Sequence, residues 1–269
     1  MSVNYVLDVQ NLTIGYRNHI AVDDISFNVE NGDLLGIVGP NGAGKTTLFR
    51  AILGLQQYHI GKIKLFGYGS NEYAPLISMI GYVPQKIVFD KNFPATVFDV
   101  VSMGIISENK IAKCARMVKK FGFEWNQIYN LIHKEEEKIV EALKTVGMNA
   151  LKDRRIGDLS GGELQRVFIA KSLVKDPLLL ILDEPVTSVD VESQTKFYNV
   201  IKKINNENNV TIIWSSHDLD ALEKYATKVA CMNCKLFFHD EKEKFFSDEQ
   251  AMKKYTESTM QIHMHDHIH

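Results

Sequence analysis

Residues 39–47 read Gly-Pro-Asn-Gly-Ala-Gly-Lys-Thr-Thr, a complete Gly-x-x-x-x-Gly-Lys-Thr phosphate loop. The loop follows an apolar stretch, Leu34-Leu35-Gly36-Ile37-Val38, and opens a segment from Lys45 to Leu55 where a helix is expected. Strand, loop and helix in that order are the context such a loop requires. Gly39, Gly42 and Gly44 let the backbone curl so that successive N–H groups face a polyphosphate, with Pro40, Asn41, Ala43 and Thr47 completing the cradle. The helix N-terminus behind the loop adds partial positive charge. Lys45 reaches the outer phosphates, and the Thr46 hydroxyl is a ligand for Mg²⁺. The chain is expected to bind a nucleoside triphosphate.

A second acidic motif supports this reading. Leu178-Leu179-Leu180-Ile181-Leu182 is an apolar run ending in Asp183-Glu184. Such a run predicts a strand buried on both faces of a parallel sheet. Asp183 then emerges at the strand's carboxyl end, where it can hold Mg²⁺ directly or through water, and Glu184 can polarise the attacking water. Composition permits a sizeable core: 269 residues, 45% of them hydrophobic and 24% charged, suit one or two globular domains. A formal net charge of −2 gives no reason to expect nucleic-acid binding. Three cysteines in this length predict a reducing compartment rather than a disulfide framework. Met1-Ser2-Val3-Asn4-Tyr5 shows no basic region followed by an apolar run, so no secretory signal is expected, and no apolar run is long enough to span a bilayer.

Leu159-Ser160-Gly161-Gly162-Glu163-Leu164-Gln165-Arg166 narrows the choice among phosphate-loop proteins. Ser160 is a good helix N-cap, and Glu163 three residues on completes a capping box. Gly161 and Gly162 leave the first-turn amides uncovered to an anion. With the other segments, this one resembles the signature sequence of ABC-type ATPases, whose usual form is Leu-Ser-Gly-Gly-Gln; here Glu163 replaces the glutamine. Further elements resemble the same family in the same order. Tyr16 fits the aromatic that stacks on adenine, and Gln85 the glutamine that touches Mg²⁺ or the attacking water and senses the membrane partner. Ser188-Val189-Asp190 resembles the loop that crosses between two ATPase subunits, and His217 the histidine at the γ-phosphate. The resemblance covers about residues 4–240.

The resemblance implies a phosphate-loop α/β core with an antiparallel β portion at the N-terminus and an inserted helical subdomain. The expected layout is an ATPase domain over 1–240, with its catalytic core at about 1–85 and 173–240 and the helical subdomain at about 86–172. Residues 241–269 then form a C-terminal surface helix and a histidine-rich tail. Ile111, Ala115, Val118, Ile139, Leu143 and Val146 keep helical spacing, while Lys113, Arg116, Lys119 and Lys120 read as a solvated face. The resemblance also implies ATP and Mg²⁺ as cofactors and a head-to-tail homodimer holding each nucleotide between one phosphate loop and the other chain's signature. Separate membrane permease subunits would place the chain peripherally on the cytoplasmic face of the membrane.

The segment Phe93-Pro94-Ala95-Thr96-Val97-Phe98-Asp99-Val100-Val101, followed by Met103-Gly104, is similar to the zinc/manganese uptake subgroup. That subgroup implies an extracytoplasmic metal-binding protein acting through the permease. As plain residues, the segment reads either as an apolar patch that receives a permease or as a packing connection to the helical subdomain. The tail gives an independent hint. His263, His265, His267 and His269 alternate with Met264, Asp266 and Ile268, and an extended chain would set the imidazoles on one side, suited to zinc. A polar tail without metal is the plainer reading. Cys231-Met232-Asn233-Cys234 has metal or redox spacing but no second pair, so two strands joined by a turn at Met232-Asn233 are expected, with structural cysteines; Cys114 falls on a helical pattern. Other cargoes, an iron chelate or cobalamin, would share nearly every motif. A soluble ABC ATPase of another kind would usually carry two ATPase units, a coiled-coil insertion or strongly basic surfaces. A non-hydrolysing regulatory subunit sits poorly with Glu184 and His217.

Overall fold

The computed structural model describes residues 5–17, 19–87, 90, 92–106, 135–186 and 190–265, the last six of these by backbone alone. The expected helical spacing from Ile111 to Val118, the cationic face of Lys113, Arg116, Lys119 and Lys120, Cys114, Ser188, Val189, His267 and His269 lie outside the described residues. The chain forms two compact units, one from Met1–Ala74 with Thr211–His269 and the other from Pro75–Val210.

The first unit opens with an antiparallel sheet. Strands β1 (Tyr5–Tyr16) and β2 (His19–Glu30) alternate buried and exposed residues over much of their length, as expected when one face covers a core. β1 also pairs with β4 (Ile60–Leu65), which pairs with the short β5 (Tyr68–Gly69), giving the order β2-β1-β4-β5. The register sets Val9 opposite Phe27 on one side and Ile63 on the other, so three apolar side chains meet in one layer. Between β2 and β4 in the chain lie β3 (Leu34–Val38) and α1 (Lys45–Ile52). All five residues of β3 are buried, the mark of a strand covered on both faces. The α1 helix stops short of the expected Leu55 because Gly54 adopts φ +70°.

In the second unit, β6 (Ile80–Val83) lies parallel to β7 (Leu179–Leu182), whose four residues are all buried. Between these strands run α2 (Val97–Ser102), α3 (Glu135–Thr145) and α4 (Gly161–Leu173). Leu143, Val146, Val97, Val101, Val167 and Ala170 form their shared apolar interior. The end of α2 packs closely on α4: a Cβ on Gly104 would stand 2.1 Å from the Lys171 carbonyl oxygen. The Phe93–Gly104 segment thus buries Ala95, Val97, Val100 and Val101 while leaving Phe93 and Met103 exposed. After β7, α5 (Val191–Asn208) ends at Asn209, which takes the left-handed conformation at φ +51°.

The chain then returns to the first unit through β8 (Thr211–Ser216), α6 (Leu219–Tyr225), β9 (Lys228–Asn233) and β10 (Lys235–Glu241). β3 lies between β8 and β9, parallel to both, and β10 closes the edge antiparallel to β9. The turn sits at Cys234 (φ +55°), one position beyond the expected Met232-Asn233, because Asn233 still pairs with Lys235. The expected C-terminal surface helix is two helices, α7 (Lys242–Ser247) and α8 (Glu249–His265). They are anchored as well as exposed: Phe245 is fully buried, and Ala251 and Tyr255 nearly so. Since α8 continues through His265, the extended-chain argument for the tail does not hold at His263 and His265; positions two apart on a helix do not share a face.

Candidate functional site

The phosphate loop begins where β3 ends and closes where α1 begins. Its backbone is held from two sides. An added Cβ at Gly44 (φ +94°) would lie 2.2 Å from the Ala21 carbonyl oxygen, and one at Gly39 would lie 2.1 Å from the Met232 carbonyl oxygen. Neither position has room for any side chain. The β9–β10 turn also bonds the loop directly. Cys234 donates its N–H to the Ala43 carbonyl (3.0 Å), and its own carbonyl accepts from Asp23 N–H (2.8 Å). Gly44 caps α1 without a side-chain bond, leaving its first turn open to an anion in the way the loop's glycines predict. Lys45 is 4% exposed, and its ammonium donates to the carbonyls of Gly39 (2.6 Å) and Pro40 (3.0 Å). The cation is thereby poised over the concave side of the loop. Thr46 follows in the first turn of α1.

Two further expected residues belong to the same unit. Tyr16 ends β1 as a 42% exposed residue, and its hydroxyl reaches the Gln56 carboxamide oxygen (3.0 Å) and the Thr47 hydroxyl (3.5 Å). An exposed ring pinned at its polar tip beside the phosphate loop is free to stack on a base. His217 follows β8 and is exposed, and the chain on its far side is fixed: Asp218 N–H donates to the Ser216 hydroxyl (2.9 Å), while the Asp218 carboxylate caps α6 by accepting from Ala221 N–H (3.1 Å).

The second unit carries the acidic pair and the signature. Asp183 leaves β7 with its N–H on the Val83 carbonyl (2.9 Å) and its side chain 1% exposed. Glu184, 8% exposed, holds a left-handed backbone at φ +44°, a conformation costly for a residue with a Cβ and common where function fixes geometry. Gln85, just after β6, donates its carboxamide N–H to the Glu184 carboxylate (2.5 Å). The expected water-polarising acid and the glutamine expected to touch Mg²⁺ or the attacking water are therefore in contact.

At the signature, Ser160 caps α4. Its hydroxyl accepts from Glu163 N–H (3.3 Å), and the Glu163 carboxylate accepts from Ser160 N–H (2.8 Å). The Ser160 N–H bond, the largest contribution, holds the Glu163 carboxyl below the usual carboxylate range, with the hydroxyl and the Arg154 and Arg166 charges acting the same way. This reciprocal pairing explains why an acid stands where glutamine is usual. Gly161 is exposed, with nothing within 4 Å of an added Cβ, so the first turn stays open to an approaching anion. Asp190 caps α5 by accepting from Ser193 N–H (2.9 Å), and that bond lowers its carboxyl.

Three contributors to the loop's setting escaped the sequence: Gln56 under Tyr16, the Cys234 turn under Ala43, and Met232 against Gly39. Each lies far along the chain from its partner, Gln56 by 40 residues, and none carries a recognisable local pattern. Cys231 is fully buried, and burial pushes its thiol well above the ordinary range, so the Cys-x-x-Cys spacing serves packing and the turn. Among the described residues no group of three or more His, Cys, Asp or Glu side chains is placed to hold a metal ion, and no helix is long and apolar enough to cross a membrane.

Comparison with known proteins is consistent across sequence and structure. Residues 22–187 match the family described as ABC transporter. The chain is 37% identical over 237 residues to the zinc uptake system ATP-binding protein ZurA of Listeria innocua, covering 88% of this chain and 86% of that protein. It is 35% identical to the manganese transport system ATP-binding protein MntB of the same organism, covering 93% of this chain and 95% of the other. Among solved structures it is similar to cbiO1 from Clostridium perfringens, part of the ABC transporter complex cbiONQ (26% identity, TM-score 0.73, 98% of this chain and 99% of that one). It is also similar to the ADP conformation of MJ1267, an ATP-binding cassette of an ABC transporter (25% identity, TM-score 0.74, 94% and 98% covered). These structures share its α/β phosphate-loop fold.

Proposed function

We propose, for a chain that belongs to the ABC transporter family as an ATP-binding and ATP-hydrolysing subunit, that it powers import of a divalent metal ion, zinc or manganese, through separate membrane permease subunits. The observation that carries the cargo assignment is the likeness, over most of both chains, to subunits named for zinc and manganese transport. The Phe93–Gly104 segment supports it, with Phe93 and Met103 exposed on either side of the capped α2, apolar surface that suits a permease's helix. The expected partners follow: a second copy of this chain, the permease, and an extracytoplasmic metal-binding protein acting through it. An iron chelate or cobalamin is the alternative cargo.

In this reading, the loop amides and Lys45 grip the phosphates of ATP, with the lysine exchanging the carbonyls of Gly39 and Pro40 for phosphate oxygens. Tyr16 stacks on the adenine. Thr46 and Asp183, with Gln85, offer a hydroxyl, a carboxylate and an amide oxygen, the hard-oxygen set that Mg²⁺ takes; the bound ion would neutralise phosphate charge. Glu184 orients a water and accepts its proton as the water attacks the γ-phosphorus and the bond to ADP breaks. His217 holds a γ-phosphate oxygen. The open first turn of α4, from Ser160 to Gly162, covers the γ-phosphate of the other copy's ATP, and Asp190 lies on the crossing loop. A second helix N-terminus excludes water and supplies preorganised donors that a lone phosphate loop lacks. Residues 1–240 are assigned to the ATPase domain, with residues 241–269 as the C-terminal extension.

The test is a deletion strain grown in medium limited in turn for zinc, manganese and iron. Growth should fail under zinc or manganese limitation, return with the wild-type gene, and not return with Glu184→Gln, which traps the ATP-bound state. Failure confined to iron limitation would replace the cargo; rescue by the Glu184→Gln gene would remove Glu184 from its role.

A further inference from the structure

The helices α7 and α8 enter none of the nucleotide motifs, yet they are fixed with care. Phe245 is fully buried between the rings of Phe238 and Phe246, each 5.1 Å away by centroid. Lys242 donates through its ammonium to the Glu223 carbonyl (2.8 Å) and through its N–H to the Thr227 carbonyl (3.2 Å). The Lys254 ammonium sits over the Phe237 ring at 5.2 Å. These contacts tie the two helices to α6, β10 and the start of β9. They bring one side chain, Tyr255, into the interior at 5% exposure, where its hydroxyl donates to the carbonyl oxygen of His217 (3.3 Å).

We infer that Tyr255 is a positioning residue for His217, so that the C-terminal extension braces the peptide presenting the γ-phosphate histidine. The inference rests on the reading of His217 above. Without a brace, that peptide is the weakly held link between two fixed points, the end of β8 and the capped start of α6. Its side chain is exposed, so where the ring starts from rests on the plane of the peptide that carries it. A bond to the carbonyl fixes that plane. The hydroxyl is a dependable donor: burial first, then the neighbouring Cys231 thiol and the Asp218 carboxylate, pushes it up to about 12, so it keeps its proton throughout the range in which an ATPase works. Tyrosine is suited to the task because its ring fills the buried space while only the tip reaches the backbone.

The experiment measures ATP turnover by full-length protein carrying Tyr255→Phe, His217→Ala, or both, with rates too slow for steady state followed in single turnover. Tyr255→Phe keeps the buried ring and removes only the hydroxyl. It should lower kcat about three- to ten-fold while KM for ATP stays within about two-fold. In the His217→Ala background it should cost nothing further, because the group it positions is gone. Unchanged turnover in His217→Ala would remove the histidine's role and this inference with it. A loss in His217→Ala with none in Tyr255→Phe would overturn the inference alone. So would an equal fractional loss in both backgrounds, which would mark Tyr255 as a general support for the fold.

Discussion

Gly39→Ala isolates how the β9–β10 turn supports the phosphate loop. Gly39 is not among the residues at positive φ, so alanine meets no torsional penalty there. The obstacle is spatial: its Cβ would stand 2.1 Å from the Met232 carbonyl oxygen, against a floor of 3.0 Å for real contacts. About 0.9 Å of separation must therefore be found between loop and turn. Both sides are backbone, and Cys234 locks them together through bonds to Ala43 and from Asp23. Overpacking of this kind costs about 1–3 kcal/mol, and for a chain of this size each kcal/mol lowers Tm by about 2–4 °C. The functional cost is larger. A shift near 1 Å carries the Gly39 carbonyl and the amides behind it away from their set positions around Lys45, and such a misplacement costs about 10²-fold in turnover. Gly147→Ala is the control: at φ +69°, with nothing within 4 Å of its Cβ, it pays about 1 kcal/mol for the left-handed backbone and nothing in catalysis. The assay pairs a thermal melt with kcat/KM for ATP on both variants. Native Tm and native kcat/KM in Gly39→Ala would refute the buttressing argument.

Two further outcomes follow from particular residues. Lys175 is largely buried, and desolvation first, then the Lys171 charge, pushes its ammonium down to about 8. Between about pH 8 and the ordinary lysine value near 10.5 the unfolded chain holds the proton and the folded chain does not, so stability contributed by this group rises with pH across that window. Lys175→Met should therefore raise Tm at pH 7, on the order of 1 kcal/mol after allowance for its remaining solvent, and flatten that rise; an unchanged pH profile of melting would dismiss the assignment. Zinc stoichiometry on the full chain and on a version ending at Gln261, which retains Tyr255, tests the histidine tail: with His263 and His265 on a helix, equal uptake is expected, and about one equivalent more on the full chain would restore the tail as a metal site.

Sequence alone placed most of the features that follow from local backbone. The phosphate loop was legible because its glycines, lysine and threonine act within one turn. The Ser160–Glu163 box was legible because a helix start satisfies its own amides, and β3 and β7 because a run buried on both faces must be apolar throughout. Tertiary structure decided the rest, since each remaining feature joins segments distant in the chain. Gln85 meets Glu184 only because β6 and β7 lie parallel. The Cys-x-x-Cys spacing turned out to carry a turn whose peptide holds the loop at Ala43. The C-terminal segment, read as a surface helix, became two anchored helices once Phe245 and Tyr255 found a core to enter. Local propensity records what a residue's nearest neighbours permit; burial and long-range hydrogen bonds depend on which partners the folded chain brings within reach, and no short stretch of sequence contains that information.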